Sequence, residues 1–345
     1  MPLQLTVDGL SQGRRASHRQ FLKSTAAAPA HGDVSTPDHE HSLMVVGDTH
    51  VGLLHISVNT CLIAAAALRM LVEDRPASDQ VKKRESQSEK YKLVWHDEFD
   101  QDGRPNPQNW TYETGFVRNK ELQWYQSENA WCENGMLIIV ARRENKANRS
   151  FDSNSTDWRR NRQYAAYTSA SLTTQGLHSW QYGRFEMRAR IDTRPGLWPA
   201  FWTLGVEGQW PDNGEIDIME YYRDILLANV AWGGSEPFEP KWDTVKKPIG
   251  EFEDPKWSER FHIWRMDWDK SQIQLYVDNL LLNSTDLKYT LNEGDGKNPF
   301  RQPHFIILNL AIGGTSGGDP SQTKFPARFE IDYIRVYKQG SQTGK

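Results

Sequence analysis

From Tyr91 onward, apolar and polar residues alternate over short runs broken by Gly, Asn, Asp and Pro. KLVWHDEF, GMLIIVARRE, YTSASLTT, GRFEMRARI, GEIDIMEYY, FHIWRMDW, QIQLYVDN, HFIILNLAIGG and FEIDYIRVYK are each of strand length. Most of them are rich in β-branched and aromatic residues, which favour a pleated, half-buried surface. No long stretch keeps an apolar period of 3.6 residues. Many short strands without intervening helices predict an all-β antiparallel sandwich. The Asp-Asn of YVDN and the Gly313–Gly314 pair supply the turn punctuation between them. No internal repeat is visible.

Upstream the pattern is different. The first fifty residues are polar, rich in His and Ser, and show neither period. Residues 51–71 form an apolar run interrupted by His55, readable as a signal core, a membrane anchor or a short helix. A signal core normally follows a short basic region at the N-terminus, and this run starts fifty residues in. The charged stretch EDRPASDQVKKRESQSEK reads as a linker. The expected organisation is a poorly ordered leader and linker over 1–87 and one folded domain over 88–340. No membrane span is expected within that domain.

Composition narrows the partners. A net charge of −4 with no long basic stripe gives no reason to expect nucleic acid. All 14 Trp residues lie after residue 90. Indoles fill cores, but they also stack on the C–H faces of sugar rings, so a Trp-rich acidic β protein is a candidate carbohydrate binder. Cys61 and Cys132 form no disulfide framework or zinc ligand set. Asn109, Asn148, Asn154 and Asn283 head Asn-x-Ser/Thr triplets, which matter only in a glycosylating secretory pathway.

The candidate chemistry lies in Gly214-Glu215-Ile216-Asp217-Ile218-Met219-Glu220-Tyr221. In a strand, Glu215 and Asp217 share one face while Ile216 and Ile218 take the other. Strict alternation then turns Glu220 away from the acids. One extra residue near Ile218–Met219, a β-bulge, brings it back, and that bulge is predicted. Acids crowded on one face raise at least one pKa and keep a proton near neutral pH. A protonated acid beside an ionised one is the pair that glycosidic cleavage needs. Retaining enzymes hold the two carboxyls ~5–5.5 Å apart. With the bulge, the Cα atoms of Glu215 and Glu220 lie ~13 Å apart, and long side chains leaning inward close the gap. The alternative is a solvated acidic strand face. Against it stand Trp210-Pro211 just upstream and Trp198-Pro199-Ala200-Phe201-Trp202 on the expected neighbouring strand.

GEIDIMEYY resembles the signature of glycoside hydrolase family 16, the laminarinase and lichenase group, in its bulged laminarinase-like form. The resemblance spans roughly 91–338 and includes WHDEF at 95–99, ELQWY at 121–125, YGRFE at 182–186, GLWPAFW at 196–202, LNLAIGG at 308–314 and DYIRVY at 332–337. It implies a jelly-roll β-sandwich of two antiparallel sheets with an open, concave substrate cleft. It implies a retaining endo-glycosidase with Glu215 as nucleophile, Asp217 as its helper and Glu220 as acid/base. Trp198 and Trp210 are then expected to stack on sugars, and Asn119, Glu121, Trp124 and Tyr125 to line neighbouring subsites. Trp202, inside a strand-like run, is expected in the core.

Catalysis in such a family needs no cofactor. A structural Ca²⁺ is implied, held by the Asp332 carboxylate and the backbone carbonyls of Gly135 and Glu98, an all-oxygen set of the kind calcium takes. The expected partner is a polysaccharide, the expected state a monomer, and the expected location secreted, cell-surface or periplasmic. One position departs from the pattern: Ala231, in Asn229-Val230-Ala231-Trp232-Gly233, stands where laminarinases often carry His. The departure bears on which sugar is bound, and Arg159, Arg160 and Arg162 in a polar loop could meet an anionic galactan. The readings weighed are a β-1,3 or β-1,3/1,4-glucanase, the same mechanism on agarose, porphyran or carrageenan, and a non-catalytic glycan-binding module.

Overall fold

The computed structural model describes residues 91–340. The whole of the predicted 1–87 leader and linker, with the 51–71 run and Cys61, lies outside them. Two antiparallel sheets account for most of the chain. One, the cleft sheet, runs in the order Pro240–Pro248, Ile225–Gly233, Glu215–Tyr222, Leu197–Gly205, His304–Ile312, Ser171–Thr173 and Thr111–Tyr112. The other, the outer sheet, runs Leu280–Asp286, Gln272–Val277, His262–Trp268, Gly183–Arg190, Ala327–Gln339, Met136–Ala141 and Ala130–Glu133, with Tyr91–Asp97 also paired to Ala327–Gln339. Among the described residues, helices are confined to short 3-10 turns, and none is long and apolar enough to cross a membrane.

Alternation explains the two layers. In Gly183–Arg190 every second residue is buried: Phe185, Met187 and Ala189 are fully enclosed, while Arg184, Glu186, Arg188 and Arg190 face out. Ile216, Ile218, Tyr221, Phe201, Ile306, Leu308 and Leu310 come from the cleft sheet to meet Phe329, Ile331, Ile334, Trp264 and Met266 of the outer sheet in one continuous core. A smaller cluster of Ala200, Trp202, Phe305 and Ile307, with Leu204 packed on it, lies on the opposite face of the cleft sheet. A sheet apolar on both faces at its centre is one that something else covers. Here the second face is the floor of a groove.

Two glycines are required where they stand. Gly214 has φ +76°, and a Cβ there would sit 2.9 Å from the Pro299 side chain. Gly314 has φ +71°, and a Cβ would lie 2.7 Å from the Asn119 carbonyl. The first fixes the entry into the acid strand; the second lets the 118–122 loop close over one end of the groove.

Candidate active site

The registers across the cleft sheet define three rows of side chains on its open face. Leu204, Glu215, Ala231 and Trp242 form one; Trp202, Asp217, Asn229 and Thr244 the next; Ala200, Glu220, Leu227 and Lys246 the third. The predicted bulge is present. Pairing with Ile225–Gly233 shifts between Asp217 and Glu220, and pairing with Leu197–Gly205 shifts between Phe201 and Trp202. Ile218 and Met219 therefore both turn into the core, and Glu220 returns to the face that holds Glu215 and Asp217.

Among the described residues, no arginine or lysine forms a salt bridge with these three acids. Neutral N–H groups hold them instead. Trp210 Nε1 donates to Glu215 Oε2 at 2.6 Å, and Trp198 Nε1 donates to Glu220 Oε1 at 2.7 Å. Asn229 Nδ2 donates to both Asp217 Oδ2, at 2.9 Å, and Glu220 Oε2, at 3.0 Å. Asp217 also shares a hydrogen bond with Glu215. The acid strand thus carries each outer carboxyl on its own indole and the central one on an amide.

Burial sets the electrostatics. Desolvation is the largest cause in all three groups and raises each above its ordinary range. For Glu220 the negative charge of Glu215 adds to it, and the group is pushed up to about 7, against the lowering effect of Trp198 and Asp217. Asp217 is raised well above the carboxylate range because both glutamates repel its charge as well. Glu215 is opposed by hydrogen bonds from Asp217 and Trp210 and by the nearby Arg118 charge, so it is the member best held as an anion. Protons on so close a set belong to the set as a whole: near neutral pH it retains at least one.

The groove has a volume of about 1060 Å³ and contains Asn119, Glu121, Trp198, Trp202, Trp210 and the three acids. Trp202 corrects the expectation of a core position. Leu197–Gly205 alternates, so Trp198, Ala200, Trp202 and Leu204 share the open face, and Trp202 donates from Nε1 to Asn309 Oδ1 at 2.8 Å. The period-2 count from Trp198 contained that answer. Trp124 and Tyr125 are corrected the other way. Tyr125 is fully buried and does not line the groove; it reaches it only through a hydrogen bond to Glu121. Trp124 packs edge-on against Phe116 behind the loop and is not among the lining residues. Both sit in a three-residue strand paired to Tyr167–Ser169, whose outward neighbour Glu121 makes the approach to the groove.

Sequence reasoning missed Asn229, Arg118 and Tyr222. Asn229 is two residues before Ala231, hence on the same face. Arg118 lies 5.0 Å from the Trp202 ring centroid and pairs with Glu113. Tyr222 meets Trp198 edge-on at 5.3 Å. Of the three loop arginines, Arg159 lines the groove while donating to the Val117 carbonyl, Arg160 pairs with Asp152, and Arg162 donates to the Glu121 and Lys120 carbonyls. Arg159 and Arg162 thereby tie the 144–163 loop to the 116–121 loop.

On the outer sheet, Ala327–Gln339 is paired to Met136–Ala141 as far as Ile331 and to Tyr91–Asp97 from Ile334 on. Asp332 stands at that change of partner, beside the chain ends that carry Gly135 and Glu98. A carboxylate and backbone carbonyls are donors of the kind a hard cation takes, although Asp332 Oδ2 already accepts from Arg188 at 2.5 Å. No cluster of three or more His, Cys, Asp or Glu side chains able to hold a metal occurs among the described residues.

Comparison with known proteins gives a consistent picture. The description "Glycosyl hydrolases family 16" matches residues 119–335. A β-glucanase of Rhodothermus marinus is 37% identical over 267 residues, covering 72% of this chain and 85% of that protein. The laminarinase catalytic domain of Thermotoga maritima superposes with a TM-score of 0.61 at 35% identity, over 73% of this chain and all (100%) of that one. A structure from work on endo-acting O-glycanases with which the human gut microbiota initiates mucin breakdown gives a TM-score of 0.67 at 34% identity, over 73% of this chain and 92% of that one. Two longer relatives are spanned over only 38% and 35% of their length.

Proposed function

The chain belongs to family 16 of the glycosyl hydrolases, and from that premise we propose that it is an endo-acting hydrolase of β-1,3- or mixed β-1,3/1,4-glucan, working by double displacement. Glu215 attacks the anomeric carbon while Glu220 gives its proton to the glycosidic oxygen, which leaves with the released chain. The glycosyl ester on Glu215 is then hydrolysed. Glu220, now a carboxylate, takes a proton from water as that water attacks the anomeric carbon, and Glu215 departs as the free carboxylate.

One observation carries this reading: Glu215 and Glu220 face the same groove across a bulge, each on its own indole N–H, with no cation between them. The electrostatics give the two steps their order. The Glu215 charge helps raise Glu220. Forming the ester removes that charge, so the pKa of Glu220 falls and the former acid becomes a base when the second step needs one. Asp217 hydrogen-bonds Glu215 and shares Asn229 with Glu220, which suits it to pass the change between them.

Reducing-end release from laminarin, mixed-linkage glucan and agarose tests the proposal, with Glu215→Gln as control. Glucan cleavage lost in that variant supports it; normal turnover by Glu215→Gln refutes the roles. A second reading keeps the chemistry on a galactose-containing glycan. The small Ala231 beside Glu215 favours it, as does the likeness to a structure from work on endo-acting O-glycanases that initiate mucin breakdown, and agarose cleavage in the same panel would select it. A non-catalytic module does not account for three retained acids.

We propose further that Asp332, with the Gly135 and Glu98 carbonyls, holds a Ca²⁺ that ties the outer-sheet strands together and takes no part in catalysis. Chelator should lower the melting temperature without changing the initial rate at low temperature; an unshifted melt removes the ion from the account. A polymer too large to enter a cell is met outside the cytoplasm, so secretion or surface display fits the activity.

A further inference from the structure

One side of the groove is untouched by the mechanism. The edge strand Pro240–Pro248 contributes Pro240, Trp242, Thr244 and Lys246 to its lining. Trp242 stands in the row of Glu215 and Lys246 in the row of Glu220, each two strands from its acid. At the usual inter-strand spacing that is roughly 9–10 Å, of the order of two pyranose rings.

The lysines of this strand differ in a telling way. Lys241 pairs with Glu293, and Lys247 pairs with Glu251 and lies over Phe252. Both point away from the groove. Lys246 points into it and has no hydrogen-bond or ion-pair partner among the described residues. The other groove cations are engaged: Arg118 with Glu113 and the Trp202 ring, Arg159 with the Val117 carbonyl. Trp242, 44% exposed, offers an open indole face on the same strand.

We propose that Trp242 and Lys246 form a distal subsite for a sugar carrying an anionic substituent, a sulfate ester or a carboxylate. The ring stacks on the indole and the ammonium takes the oxyanion. Their Cα atoms lie about 13 Å apart along the strand, so only a substituent that projects toward Lys246 closes the gap. An ammonium is a compact point charge and accepts either anion. The subsite deepens the hydrolase reading above and rests on it for its link to turnover. An edge-strand lysine also discourages pairing with other chains, but that role is blind to the substrate.

The test is a ratio. Neutral, sulfated and carboxymethylated laminarin are assayed for kcat/KM with wild type, Lys246→Gln and Lys246→Glu, at low and high salt. Lys246→Gln should lower the charged-to-neutral ratio about threefold to fivefold, the range of a partly exposed ion pair. Lys246→Glu should lower it further, and high salt should erase the wild-type preference. The arm that loses more names the substituent. Equal ratios in all three proteins at low salt overturn the proposal. Affinity electrophoresis of the Glu215→Gln and Glu215→Gln/Lys246→Gln forms in gels of the same polymers measures the ratio without turnover. If wild type cleaves none of them, the hydrolytic reading fails, and the electrophoretic ratio still decides the subsite.

Discussion

Four carboxylates on or beside the outer sheet meet arginines; the three acids of the groove strand meet only uncharged donors. Outside, Asp267 takes Arg184 through two hydrogen bonds, Glu330 takes Arg190, Asp332 takes Arg188 and Glu98 takes Arg335 through two more. In the groove, Glu215, Asp217 and Glu220 have indoles, an amide and one another. The consequence is a difference of sign. Arg335 holds Glu98 below the ordinary glutamate range, whereas burial raises all three groove acids, and repulsion from neighbouring acids adds to it for Asp217 and Glu220. An acid paired with an arginine is fixed as an anion and can serve structure. An acid held by neutral N–H groups keeps access to both protonation states, and that access is what a proton-transfer site requires.

The comparison can be tested at decreasing scale. Glu215→Gln should lower kcat by at least about 10³-fold on glucan, the scale of losing a nucleophile. It should also lower the pKa of Glu220, read by NMR titration, because the repelling charge is gone. An unmoved Glu220 would detach the two groups. The paired indoles should act on opposite limbs of the pH profile. Trp198→Phe removes a donor that favours ionised Glu220, so the alkaline limb of the kcat/KM profile moves to higher pH, with a rate loss of about tenfold. Trp210→Phe removes the corresponding donor from Glu215, so the acid limb moves up and the active range narrows from below. Shifts in the same limb for both variants would contradict the assignment of roles.

Stability should separate the regions as well. The raised pKa of Glu220 means the folded state binds more protons than the unfolded chain from the ordinary glutamate range up to about 7. Stability is lost as pH rises through that window. Glu220→Gln should therefore raise the melting temperature at pH 7 by a few degrees, of order the usual gain when a functional site is relaxed. Glu98 has the opposite sign. Its stabilisation is present above the ordinary glutamate range and disappears as pH falls through its lowered folded value. The pair is partly exposed, so Arg335→Gln should cost less than about 1 kcal/mol in denaturant melts and leave the pH–rate profile where it was. A shifted profile would mean that the outer sheet reaches the chemistry.

The sequence by itself determined the strands, the face shared by Glu215 and Asp217, and the need for a bulge before Glu220. These follow from a side-chain period of two and from the cost of facing a row of acids away from their purpose. The same count, carried along Leu197–Gly205, contained the groove position of Trp202. Periodicity does not say which strands become neighbours, so Asn229 and Arg118 came into view only when tertiary structure brought them beside the acids, whereas Tyr222, two residues beyond Glu220 on the same strand, was within reach of the count. Nor could a local motif tell that Tyr125 turns inward, since burial depends on the Tyr167–Ser169 strand some forty residues later. The pairing of Glu215 and Glu220 each with its own indole, and the isolation of Lys246 on the sheet edge, were likewise decided by tertiary structure. Both depend on distances between chain segments, and distances between segments are set by packing rather than by order along the chain.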